Sequence, residues 1–112
     1  MTEEELACTW WSYRRRGGIV LSTELLSDPQ YDELNSLDAW IESFYASDSS
    51  LARLIEILAR TAPSEADVSF IGTWVLEDAH DEAPGVPERA LELTQLSQET
   101  LALIRSGYLP WP

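Results

Sequence analysis

Lysine is absent from this sequence, and seven arginines are the only fixed cations set against 20 aspartates and glutamates. The formal net charge of -13 at pH 7 creates a field that repels nucleic acid and anionic lipid and speeds encounter with basic proteins. A single cysteine, Cys8, excludes an internal disulfide. The five glycines spell neither Gly-x-Gly-x-x-Gly nor a P-loop, so no phosphate cradle is encoded. No apolar run approaches the roughly 18–20 residues that span a bilayer. The acidic start Met1-Thr-Glu-Glu-Glu5 lacks the basic and apolar regions of a signal peptide, which makes the cytoplasm the expected location. Sustained period-two alternation is missing as well, so strands are not needed to explain the pattern, although Ile19-Val-Leu21 is ambiguous.

What is present is enough apolar material to fold. Apolar residues are 45% of the 112, with five tryptophans, four tyrosines and two phenylalanines, too many large side chains for a disordered chain. A chain of this length closes around one core, so residues 1–112 are expected to form a single domain.

Helix signals recur along its length. Thr2-x-x-Glu5 is a capping box, Glu3 to Glu5 suit the positive end of a helix dipole, and Arg14 to Arg16 suit the negative end before Gly17-Gly18 stops it. Leu6, Trp10 and Tyr13 then share a side, with Trp11 next to them and Cys8 buried among aromatics. Residues 19 to 27 read as a connection. Asp28-Pro29 opens a helix over 29 to 46 with Leu34, Leu37, Ile41 and Phe44 on one face, and Ser47-Asp-Ser-Ser50 reads as a turn. Leu51, Leu54, Ile55 and Leu58 line a third helix that Pro63 ends, paired with the second as a hairpin. Ser64-x-x-Asp67 caps a stretch over 65 to 82, one helix or two bent near Gly72, whose inner face is Val68, Ile71, Val75 and Ala79. After the loop Ala83-Pro-Gly-Val-Pro87, the pattern predicts one last long helix lined by Ala90, Leu93, Leu101 and Ile104 and closed by Gly107. The tail Tyr108-Leu-Pro-Trp-Pro112 either folds back on the core or covers a twin subunit in a homo-oligomer. The expected fold is all-α, a single compact bundle of five or six helices with helical hairpins.

Chemistry has little to build on. Glu77 and His80 match the Glu-x-x-His spacing of helical di-iron sites, but such sites need a second histidine, and His80 is alone. Cys8 with His80 carries no local signature of a nucleophile and its base. No metal, no cofactor and no enzymatic activity are expected.

The carboxylates carry more information as tracts. Between Arg16 and Arg53, Glu24, Asp28, Asp32, Glu33, Asp38, Glu42 and Asp48 stand without a basic residue. Between Arg60 and Arg89, Glu65, Asp67, Glu77, Asp78, Asp81, Glu82 and Glu88 do the same, with only His80 to offset them. Like charges at i and i+4, as at Asp28 with Asp32 or Glu77 with Asp81, cost a helix roughly a few tenths of a kcal/mol each. Their retention points to a surface for something positively charged, and the residues expected to bind a partner are Asp28, Asp32, Glu33, Glu42, Glu77, Asp78, Asp81 and Glu82. Tyr31, Tyr45 and Trp111 are the expected aromatic anchors beside them. The bland alternative is that the charge only keeps a small protein soluble.

Trp10-x-x-Tyr13 in a first helix, followed by Leu76-Glu77-Asp78 after an Ile-Gly step, resembles a family of small bacterial helical domains of unknown function. That family tends to carry Gly-Pro before Leu-Glu-Asp, where this chain has Trp74-Val75. The resemblance implies a helical fold and no activity. The acidic, single-domain profile is also similar to that of bacterial immunity proteins, which cover a basic toxin. The expected function is therefore an acidic protein-binding module, an immunity or inhibitor protein against a basic toxin or enzyme, without direct nucleic-acid or membrane contact. The alternative is an adaptor or a protein that mimics nucleic-acid charge.

Overall fold

The computed structural model describes residues 2–17 and 29–108, with side chains described for 2–12 and 35–108. Its elements are α1 (Glu3–Gly17), α2 (Pro29–Glu42) with a 3-10 extension (Ser43–Ala46), α3 (Asp48–Thr61), α4 (Glu65–Phe70), a π-helical segment (Ile71–Leu76), α5 (Glu77–Glu82), α6 (Val86–Leu93) and α7 (Gln98–Gly107). No strand occurs among the described residues. The fold is an all-α bundle.

Helix α3 is its axis. Leu51, Leu54, Ile55 and Leu58 are fully buried, as their spacing predicts, and Ala52 and Ile57 widen the buried surface to two sides. One side receives α1 and the other α6. Ser47, in extended backbone, is its N-cap and accepts a hydrogen bond from the Ser50 amide. The predicted four-residue turn is therefore a single residue, because Asp48 to Ser50 already form the first helical turn. At the other end Ala62 is extended (φ -61°, ψ 129°), the geometry that Pro63 imposes on the residue before it.

Helix α1 begins with the Thr2 hydroxyl accepting from the Glu5 amide at 3.1 Å. It brings Ala7, Trp10 and Trp11 into the core. A buried indole must place its N–H. Trp10 donates to Asp38 Oδ1 on α2 at 2.8 Å and Trp11 to Thr61 Oγ1 on α3 at 3.2 Å, so the two rings tie three helices together. They meet edge to face at 4.8 Å, with Trp74 at 5.6 Å from Trp10. Cys8 is exposed on this helix, contrary to the expectation of a buried thiol, because the inward stripe runs through Ala7, Trp10 and Trp11.

Helix α2 stops short of the predicted residue 46 and tightens into the 3-10 turn, which buries the adjacent Phe44 and Tyr45 together. Residues 65–82 form a continuous helical run, capped by Ser64, in which Ile71, Val75 and Ala79 are fully buried. Near Gly72 the run widens to π-helix. A methyl group at Gly72 would collide with the Ile104 carbonyl oxygen, and one at Gly107 with the Ser69 carbonyl oxygen. Two glycines thus let α4 and α7 approach backbone to backbone, and Thr73 Oγ1 closes the seam by donating to the Gly107 carbonyl at 2.9 Å.

The predicted long last helix is two helices. Thr94 leaves helical geometry (ψ 155°) and its hydroxyl donates to the Leu91 carbonyl, and Ser97 caps α7 by accepting from the Thr100 amide. The break lets α7 swing onto α4 while α6 stays on α3. It also removes Leu93 from the core, where Leu91 is buried instead and Leu93 is 55% exposed. Residues 18–28 and 109–112, with the predicted connection, the Asp28 cap and the Trp111 tail, lie outside the described residues.

Candidate functional site: a junction of carboxylates on α2 and α5

Glu42 closes α2 and is exposed. Its neighbours come from a distant part of the chain: Asp78 and Glu82, one turn apart on α5, together with Asp38 one turn back on its own helix. Partial desolvation, and then the charges of Asp78, Glu82 and Asp38, raise the pKa of Glu42 above the ordinary glutamate value. Charges of the two acidic tracts therefore act on one another.

Beneath them lies Tyr45. The residue is only 4% exposed, and its hydroxyl is shut off from solvent against the Asp78 carboxylate. Burial first, then the Asp78 carboxylate against which the hydroxyl lies, push the phenol's pKa up. Tyr45 is thus a floor for the junction. The expected surface anchor is corrected, because the 3-10 turn directs this side chain inward.

Glu77 and Asp81 occupy another side of α5. They act on Tyr108, which is 2% exposed and whose hydroxyl donates to Glu88 Oε1 on α6 at 3.0 Å. Burial, then the bond to Glu88, raises the pKa of this tyrosine too. His80 joins the same group, with Nδ1 4.0 Å from Glu88 Oε1 and its ring edge-on to Tyr108 at 6.2 Å. It is half-buried, and its Nδ1 forms no hydrogen bond. Among the described residues no contact joins His80 to Cys8, and no group of three His, Cys, Asp or Glu is placed to hold a metal ion.

Of the eight carboxylates expected to bind a partner, Asp78 and Glu82 act on Glu42, while Glu77 and Asp81 act on Tyr108. Asp32 and Glu33 lie on α2 with side chains outside the described set, as Asp28 is altogether. Reasoning from the sequence missed Asp38 as a structural acceptor and Tyr45 as the floor. A buried tryptophan near a lone aspartate offers only a weak sign of the first.

Arginines are distributed unevenly around these groups. Arg53 pairs with Glu3, Arg60 with Glu4 at 3.4 Å and Arg89 with Asp48 at 2.9 Å. No ion pair reaches Glu42, Asp78 or Glu82 among the described residues. No helix of the described residues is long and apolar enough to cross a membrane. The chain matches no family model, no curated protein and no solved structure.

Proposed function

We propose that this protein is an acidic protein-binding module, an immunity or inhibitor protein of the cytoplasm that covers a basic toxin or enzyme. The observation that supports the reading best is the contrast in pairing: Glu3, Glu4 and Asp48 have arginine partners, whereas among the described residues no ion pair reaches Glu42, Asp78 or Glu82, whose charges act on one another. Carboxylates gathered in this way repel one another in the free protein, and a cationic surface removes that cost. The reading assigns the chain no catalytic step.

Affinity capture from the host at low salt, followed by mass spectrometry, tests it. A basic protein should be recovered, with an association rate that falls steeply as salt rises. The combined variant Glu42→Gln, Asp78→Asn, Glu82→Gln should slow association by about tenfold or more. Recovery of neutral or acidic partners alone, or binding indifferent to salt, would overturn the reading. Competition by duplex DNA for the recovered partner separates a mimic of nucleic-acid charge from an inhibitor that covers another surface.

A further inference from the structure

We propose that the groove along α3, between the start of α1 and the end of α6, is a docking site for a basic amphipathic helix of another protein, which seats an apolar side chain against Leu93 and a lysine or arginine on Glu56. The inference rests on the reading above for the sign of the partner's charge, and it uses none of the carboxylates assigned to binding there.

Shape limits what can enter. Helices α1 and α6 pack on two sides of α3, and a groove of about 640 Å³ stays open between them, lined by residues of all three. Its floor is α3 from Ser49 to Arg60, about 16 Å of helix, which matches roughly three turns of a second helix laid alongside. Ala52 and Ile57 are the apolar part of that floor, and Leu93, the last residue of α6, lines the same opening. Leu93 is the one large apolar side chain exposed among the described residues. The break at Thr94 keeps it out of the core. An apolar side chain entering the groove would take Leu93 out of water together with the edges of Ala52 and Ile57.

Charge then selects the occupant. Arg53 and Arg60 are already taken by Glu3 and Glu4 on the α1 side. Glu56 lies about one turn from each arginine along α3 and lines the groove half-buried. It has the i, i+4 spacing of a helical pair with Arg60, yet no ion pair or hydrogen bond reaches it among the described residues. Covering the groove strips water from this carboxylate, a cost that stands unless a cation arrives with the cover. An apolar or acidic segment would leave the cost in place, and a second copy of this chain would bring its own charge of -13 against the first. A helix with apolar and cationic side chains three or four residues apart meets both demands, because those positions share one face.

The test titrates isotope-labelled full-length protein with a blocked alanine-based helical peptide that carries leucine and lysine alternately along one face at three- and four-residue spacing. One control has glutamate for each lysine, and another has alanine for each leucine. The leucine–lysine peptide should shift the methyl groups of Ala52, Ile57 and Leu93 and the carboxyl carbon of Glu56 on one saturating curve, and bind about tenfold or more tighter than either control. Leu93→Ala should weaken it about fivefold or more while melting within about 3 °C of wild type, since the side chain is exposed. Glu56→Gln should weaken it about three- to tenfold. Equal binding of the glutamate control, no binding by any of the peptides, shifts centred elsewhere, or full binding by Leu93→Ala would each overturn the proposal. So would a concentration-dependent dimer that Leu93→Ala disperses, because the groove would then belong to a second copy. A captured basic partner that is lost with the combined Glu42, Asp78 and Glu82 variant but kept in full by Leu93→Ala would remove the groove and leave the wider reading standing.

Discussion

The outer side of α3 and the α2–α5 junction hold the same kind of side chain in opposite company. On α3, Arg53 and Arg60 reach across to Glu3 and Glu4 at the start of α1, and Asp48 receives Arg89 from α6, so charge there helps to fasten helices. At the junction, the charges of Asp78 and Glu82 act on Glu42, and no arginine of the described residues pairs with these three. Evenly spread excess charge would indicate solubility alone.

Substitutions that act on one region and spare the other measure this difference. The largest effect is expected where both regions share a frame. Gly72→Ala would drive a methyl group into the Ile104 carbonyl and separate α4 from α7, costing about 3 kcal/mol in chemical denaturation, the upper range for overpacking. Because α5 continues from the same helical run, partner binding should fall with it.

Tyr108→Phe should cost about 1.5 kcal/mol at neutral pH through loss of the bond to Glu88. It should also flatten the alkaline limb of the stability curve. The folded phenol has a raised pKa, so its contribution is full below the unfolded value near pH 10 and is lost as pH rises towards the folded one. Thermal melts between neutral pH and pH 11 would display the difference from wild type. A parallel fall in both proteins would show that Tyr108 does not carry it.

Arg89→Ala should cost about 0.5 kcal/mol, since its ion pair with Asp48 is exposed, and should leave partner association almost unchanged. Glu42→Gln should do the reverse. It should stabilise the free protein at pH 7 by roughly a few tenths of a kcal/mol, the size of exposed like-charge pairs, and slow association. The pKa of Glu42 is raised by folding, so its destabilising contribution is full above the folded pKa and disappears as pH falls through the unfolded value, about pH 4. The stability gap between Glu42→Gln and wild type should therefore close on acidification. A Glu42→Gln protein less stable than wild type at pH 7 would mean that Glu42 has a cationic partner in the fold.

Much of the frame was legible because it depends on local rules. The caps at Thr2, Ser64 and the break at Pro63 are short-range events, and the inner faces of α3 and of residues 65–82 follow from a period of 3.6 residues. The errors came where two local readings competed. Ser47 to Ser50 resembles a turn by composition, yet one serine cap is enough to restart a helix. Leu93 keeps the apolar spacing of a continuous last helix, but the Thr94 and Ser97 hydroxyls satisfy the free ends of two helices and make the break favourable. The acidic candidates were legible as two tracts, and their action on one another was not, since no local rule relates Glu42 to residues more than thirty positions away.

The sequence by itself determined an all-α chain, its main helix starts and stops, and a charge that must be mostly negative wherever it faces water, because each of these depends on residues within a turn or two of one another. The tertiary structure decided which carboxylates have partners among the described residues. Asp38 is held by the Trp10 indole and Asp48 by Arg89, while Glu42 is subject to the charges of Asp78 and Glu82. Pairing of charges depends on distance in space, and that distance exists only once the helices have packed.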